Sequence, residues 1–223
     1  MANKKVDHRI PDILFIVDIF NGKVEVLVKP LFIYGRYLKK TRGLYQIATG
    51  NHVVANLRGS EAVEEYIGRP LLNLAKAEKA ILHAAGREDY DVRMLGEGRP
   101  FIIELINPQR RNIDLKKASE EIRKYSRCRV EVKDLKIVTS SKMIALLKGS
   151  ARYSRKTYQV IIHFKNEVNV EDLEKLEEAF NQILVRQRTP LRVLQRRADI
   201  VRRKYVYEVK CKKISSHIIR CII

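Results

Sequence analysis

Long apolar runs are missing from this chain of 223 residues. None approaches the roughly 18 to 20 residues that a membrane-spanning helix needs. Met1 to Arg9 carries charges but no small-residue cleavage site follows it, so no secretory leader is expected. Cysteine is scarce: Cys128, Cys211 and Cys221 form an odd, scattered set without a Cys-x-x-Cys pair. That spacing suggests neither a disulfide framework nor a zinc site, and free structural thiols are expected. These absences describe a soluble, cytoplasmic protein. No Gly-x-Ser-x-Gly elbow occurs and the five histidines lie in unrelated contexts, which argues against a Ser/His/Asp hydrolase. Gly96-Glu97-Gly98 begins like a phosphate-binding loop, but no further glycine or Lys-Ser/Thr completes it. Sequence repeats and low-complexity tracts are absent as well.

What the chain has in excess is positive charge. Its 45 Lys+Arg against 26 Asp+Glu leave a formal net charge of +19, the balance of a protein that seeks polyanions. Hydrophobic residues make up 45%, enough for one large core or two small ones. The charges run through periodic segments and not through a tail, so the chain is read as a folded basic protein.

Ile13 to Ile19, the turn signal Asn21-Gly22 and the strand-rich Val24 to Tyr34 predict a β-hairpin. Gly43 to Ser60 reads as loop. Glu61 to Ala85 carries helix formers, and Gly68-Arg69-Pro70 is expected to split it into a short and a longer helix. Pro100 to Ile106 is an apolar strand. Asp114 caps a helix whose buried face is Leu115, Ala118, Ile122 and Tyr125, and Arg129 to Val138 returns to strand. Tyr158 to Phe164 is a further strand, and Asn169 caps a helix with Leu173, Leu176, Phe180 and Ile183 on one face. Lys204 to Lys210 and Ile214 to Ile223 alternate basic with apolar residues and read as strands. The fold class is α+β, with mixed or mainly antiparallel sheets, helices packed on them, and two lobes divided at 145/146.

Two segments interrupt this pattern. Arg186 to Lys213 holds eleven Lys/Arg against only Asp199 and Glu208, too many to be neutralised locally. Gly86 to Gly98 breaks every period, interleaving acids with arginines on a loop. Glu88, Asp89 and Asp91 could share a divalent ion, but Arg87 and Arg93 compete for their carboxylates, and no metal is expected. By composition alone the segment is equally a solvated charged loop.

The stretch GREDYDVRMLGEGRPF, Gly86 to Phe101, resembles the signature loop of the archaeal and eukaryal tRNA pseudouridine synthases called the Pus-ten family. RTPLRVLQRRAD, Arg188 to Asp199, is similar to a second stretch of that family, and PDILFIVDI and FIYGRY extend the resemblance over most of the chain. The resemblance implies a pseudouridine synthase fold acting on tRNA without a cofactor. It implies uridine in the TΨC arm as the target, position 55 with 54 as a further candidate. Asp89 would be the attacking carboxylate, Arg87 would fill the gap left by an extruded base or hold a phosphate, and Arg93 would bind RNA. Tyr158, with Tyr153 as substitute, would stack on the flipped base. The bland alternative for a strand tyrosine is packing. Residues 1–145 would be the lobe bearing the aspartate loop, and 146–223 the lobe bearing the basic segment 186–213. There Arg188, Arg192, Arg196 and Arg197 would contact phosphates.

The sequence departs from the family in three ways. An N-terminal domain with Cys-x-x-Cys pairs has no counterpart. Gly43 to Ser60 lacks the cysteines that relatives often carry there. The chain stops at Ile223, where the family continues into a Gly-x-Tyr-Ile-Lys-like motif whose basic residue would pair with the aspartate. The departures leave two expectations beside the enzyme: a synthase completed by a second polypeptide, or a non-catalytic tRNA-binding module.

Overall fold

Asp18 opens the first turn. Its carboxylate accepts the main-chain N–H groups of Phe20 and Asn21, each at 3.1 Å, and the Asn21 amide at 2.7 Å. The turn joins β1 (Ile13–Asp18) to β2 (Lys23–Val28) as an antiparallel hairpin. Here the chain departs from the single strand expected over Val24 to Tyr34. Pro30 cannot donate a ladder hydrogen bond, and after it β3 (Leu31–Lys39) enters a different sheet.

The computed structural model describes residues 11–47, 53–54, 61–139, 142–151, 153–189, 191, 194 and 198–223, which fall into two units, Met1–Ser154 and Arg155–Ile223. In the first unit, β4 (Val53–Val54), β5 (Lys79–Ala84), β6 (Met94–Ile106) and β7 (Val130–Val138) join β3 in an antiparallel sheet ordered β4-β5-β6-β3-β7. Helices α1 (Val63–Ala75) and α2 (Leu115–Tyr125) cover one face, packing on Leu31, Ile33, Leu82, Ile103 and Leu105. Helix α3 (Lys142–Ser150) covers the other, where Leu147 meets Phe32 and Ile102. Most of the loop expected over Gly43 to Ser60 lies outside the described residues.

Helix α1 runs straight through Pro70, contrary to the expected split. Val63, Ile67, Leu71 and Ala75 are fully buried along one face. Burying Val, Ile and Leu contributes about 1.5–3 kcal/mol each, which together exceeds the roughly 3 kcal/mol that an interior proline costs. The second expected helix survives only to Ala75, and its later part is instead β5. Its inward residues Ala80 and Leu82 alternate with outward ones, a period of two that composition hides. Asp114 caps α2 as predicted, accepting the Lys116 and Lys117 N–H groups at 2.9 and 3.1 Å, and Ala118 and Ile122 are buried. Tyr125, expected on that buried face, is 42% exposed.

Strand β6 begins at Met94, ahead of the expected Pro100, and the glycines are a bulge within it. Tyr37 faces Arg99 while Lys39 faces Met94, so the four residues from Leu95 to Gly98 of β6 oppose Leu38 alone on β3. Gly98 makes the bulge possible: φ is +76°, and a Cβ there would lie 2.8 Å from the Tyr37 carbonyl oxygen.

In the second unit, β11 (Lys210–Lys213), β12 (Ile218–Ile222) and β8 (Gln159–His163) form an antiparallel sheet. Helix α4 (Val170–Phe180) contributes Leu173 to a core with Val168 and Ile219. The Asn169 N–H donates to the Asp172 carboxylate at 3.0 Å, part of a capping box. Phe180 is half exposed, and Ile183 leaves the predicted helical stripe to begin β9 (Ile183–Arg188), paired with β10 (Val201–Val206). Cys211 and Cys221 are disulfide-bonded, correcting the expectation of free thiols. They are ten residues apart in sequence, but the β11–β12 register sets them directly opposite. Among the described residues no helix is long and apolar enough to cross a membrane.

Gly98→Ala should lower stability by about 1–3 kcal/mol, through positive φ and the clash with a carbonyl that cannot yield. Urea unfolding followed by circular dichroism checks it, with Gly149→Ala, where a Cβ meets nothing within 4 Å, as the control.

Candidate active site

The loop from Ala85 to Arg93 leaves β5 by a tight turn at Gly86, whose φ of +84° suits glycine. Space restricts it too, since a Cβ would stand 2.9 Å from Nη1 of Arg99. Beyond this turn the two adjacent carboxylates differ in burial. Glu88 is buried and Asp89 is partly exposed, while Arg87, Asp91 and Arg93 face solvent.

Glu88 is the anchor. Its Oε2 receives Nε of Arg99 at 2.8 Å and the Tyr37 hydroxyl at 2.7 Å. Gln46 completes the cluster, donating to Tyr37 Oη at 2.7 Å and to the Gly86 carbonyl at 3.0 Å. Arg99 also donates to the Ala85 carbonyl at 2.7 Å, so both ends of the turn are held by groups that also hold Glu88. A buried ion pair is stabilising only when its remaining hydrogen-bonding atoms are met. Here Oε2 is saturated, whereas Oε1 is buried with no partner among the described residues.

Beneath the loop lies Lys39, fully buried. Strand β3 sends alternate residues into the core, and Lys39 occupies the inward position that follows Leu31, Ile33, Gly35 and Tyr37. Its ammonium donates to the carbonyls of Leu44 at 2.8 Å, Asp89 at 2.9 Å and Tyr90 at 3.3 Å. Burial pulls its pKa below the usual lysine value, and the negative charges of Glu88, Asp91 and Asp89 oppose that pull. A cation therefore lies under the main chain of the aspartate itself. Tyr90 is secured as well: its carbonyl accepts the Gly43 N–H at 3.0 Å and its ring stands 4.4 Å from that of Tyr45.

Arg87 and Arg93, on either side of Asp89, have no hydrogen-bond or ion-pair partner among the described residues. In the second unit Tyr158 precedes β8, exchanges main-chain hydrogen bonds of 2.8 and 2.9 Å with Ile223, and is 55% exposed; Tyr153, in the first unit, is 87% exposed. Arg188 is engaged by Asp199, with contacts of 3.0 and 2.6 Å. Arg192, Arg196 and Arg197 lie outside the described residues.

The supporting cluster of Tyr37, Lys39, Gln46, Glu88 and Arg99 was not foreseen from sequence as a unit. Its members come from β3, the following loop, the aspartate loop and β6. One signal was legible: a lysine at an inward position of a strand that is otherwise apolar on that side.

The family model described as "Pus10, C-terminal" matches residues 32–223. The chain is 41% identical over 215 residues to a protein of Thermofilum pendens named tRNA pseudouridine synthase Pus10, a match covering 96% of this chain and 48% of that protein. Proteins of the same name from Methanothrix thermoacetophila and Korarchaeum cryptofilum are 39% and 40% identical, over 98% and 92% of this chain and 50% and 57% of theirs. The chain belongs to the Pus10 family, and it spans about half the length of the curated relatives it matches.

Burial, and then the Glu88 charge, raise the Tyr37 pKa well above its ordinary value of 10.0. A group whose folded pKa is raised keeps its full contribution to stability below the unfolded value and loses it as pH climbs above that value. Tyr37→Phe should cost about 1–3 kcal/mol at pH 8, where Glu88 loses a donor. The gap between variant and wild type should narrow above pH 10.0. Urea midpoints measured for both proteins from pH 8 to 11 read this difference.

Proposed function

We propose that this chain is the catalytic part of a tRNA pseudouridine synthase and that Asp89 is its nucleophile. The observation that carries the reading is the contrast between adjacent carboxylates: Glu88 is buried within a hydrogen-bonded cluster, while Asp89 is partly exposed with its carbonyl held on Lys39. Support comes also from the name shared by relatives about 40% identical over most of the chain. The target is uridine 55 of the TΨC arm, with uridine 54 as a second position, and the reaction takes place in the cytoplasm. This assignment rests on the resemblance of the Gly86 to Phe101 loop.

The chemistry is an isomerisation. A carboxylate needs no general base to act as a nucleophile at neutral pH. Attack by Asp89 on the nucleoside leads to cleavage of the bond between C1′ and N1. The uracil turns, C1′ joins C5, and the proton lost from C5 is balanced by one gained at N1. Atoms and electrons balance, so no cofactor is called for. Lys39 lies beneath the loop with its ammonium on the Asp89 carbonyl, and Arg87 and Arg93 flank Asp89 in the chain.

A stacked uridine is inaccessible to any side chain until it is extruded from the RNA. Arg87, exposed at the loop's leading edge, takes the vacated space or holds the flanking phosphate. Tyr158 stacks on the extruded base. The basic segment 186–213, including Arg188, Arg192, Arg196 and Arg197, tracks the RNA backbone, which supplies affinity and register. In this reading residues 1–145 deliver the nucleophile and 146–223 hold the RNA.

Asp89→Asn should reduce pseudouridine formation on an unmodified tRNA transcript by more than about a thousandfold, the scale expected when a nucleophile is lost. Its tRNA affinity should stay within about twofold of wild type. Carbodiimide labelling with primer extension reads the product and filter binding reads the affinity. Unchanged product would remove Asp89 from the chemistry.

A further inference from the structure

Strands β9 and β10 pair so that their exposed face carries Leu184, Arg186, Arg188, Val201, Arg203 and Tyr205. The register sets Arg186 directly opposite Arg203. Side chains so placed have Cβ atoms about 4.5–5.5 Å apart, and like charges there oppose the pairing of the strands. Relief is available nearby but goes elsewhere: Asp199 engages Arg188. Among the described residues neither Arg186 nor Arg203 has a carboxylate partner. The same arrangement occurs in the neighbouring sheet, where exposed Lys212 faces exposed Arg220.

Aromatic rings continue the face. Tyr205 follows Arg203 on the same side of β10 and is 48% exposed. Its ring meets that of Tyr207 edge-on at 4.8 Å, and the Arg155 guanidinium lies over the Tyr207 ring at 4.3 Å. Two unmatched guanidinium groups beside an open phenol ring combine a phosphate clamp with a stacking platform, the pairing used to hold unstacked nucleotides. An acidic peptide would satisfy the charges but would leave the ring without a base to stack on.

We infer that the Arg186–Arg203 pair and Tyr205 form an RNA-binding subsite: a backbone phosphate bridges the guanidinium groups and an adjacent unstacked base lies on the ring. The inference rests on the reading of the chain as tRNA-binding. It accounts for a destabilising cross-strand pair by giving it a ligand. It also makes a demand that a merely solvated basic surface would not meet: removing the repulsion should help the free protein and harm the complex.

The test uses the purified protein and an unmodified tRNA transcript. Arg203→Glu, which turns the repulsive pair into an attractive one, should hold or raise the melting temperature by about 1–3 °C. It should also weaken tRNA binding by about 10-fold and reduce the slope of log K against log salt by about one to two. Tyr205→Ala should weaken binding by about 5- to 20-fold with the salt slope unchanged, because stacking releases no counterions. Should Arg203→Glu fail to fold, Arg186→Gln gives the same reading with a slope reduced by about one. Variants that bind tRNA with wild-type affinity and slope overturn the subsite while leaving the proposed function standing. Polyglutamate competing as well as RNA overturns it in favour of a general anion surface. A wild-type protein that does not bind tRNA removes the functional reading and the subsite together.

Discussion

The pairing of Glu88 with Arg99 is the constraint from which the rest of the site follows. One carboxylate oxygen collects an arginine from β6 and a tyrosine from β3, and the glutamine that binds the tyrosine also holds the Gly86 carbonyl. Glu88 is buried while its neighbour Asp89 is partly exposed, and the turn at Gly86 has no room for a side chain beside Arg99. A buried pair of this kind contributes little net stability compared with apolar residues, but losing one partner leaves a stranded charge. Its value lies in geometry: the carboxylate in the next position is presented on a loop that cannot turn over without breaking the cluster.

Electrostatics act at two ranges. Over the whole chain, +19 favours any polyanion and encodes no site. Close to the loop the charge is placed. Lys39 is enclosed in the core with its donors spent on main-chain carbonyls, so its field persists where surface charges would be screened. In the second unit two exposed basic pairs, Arg186 with Arg203 and Lys212 with Arg220, face each other across strands, an arrangement poorly suited to stability alone.

Elements whose signals are local were legible in the sequence. The Asp114 cap and the Ala118 and Ile122 stripe define α2, and the Asn169 cap defines the start of α4. Elements decided by tertiary contact were not. Pro70 passes for a helix breaker until the burial of Ile67 and Leu71 is counted, and Gly96 and Gly98 pass for loop until β3 is laid beside them. The Cys211–Cys221 disulfide depends on a register that spacing does not reveal. The site divides in the same way. Asp89 stands out through a break in periodicity and a family resemblance, whereas its supports are recruited from positions 37, 39, 46 and 99, joined only when β3 and β6 pair.

Glu88→Gln keeps size and removes charge, and so reads out whether the Glu88 cluster sets the position of Asp89. Single-turnover and steady-state kinetics on tRNA, with Tyr37→Phe as a companion should the variant unfold, separate positioning from binding. Such a positioning role implies a kcat at least about tenfold lower, with KM and tRNA affinity within about twofold of wild type, because misplacing a reacting group costs rate and not binding. A folded Glu88→Gln protein with wild-type kcat would contradict it.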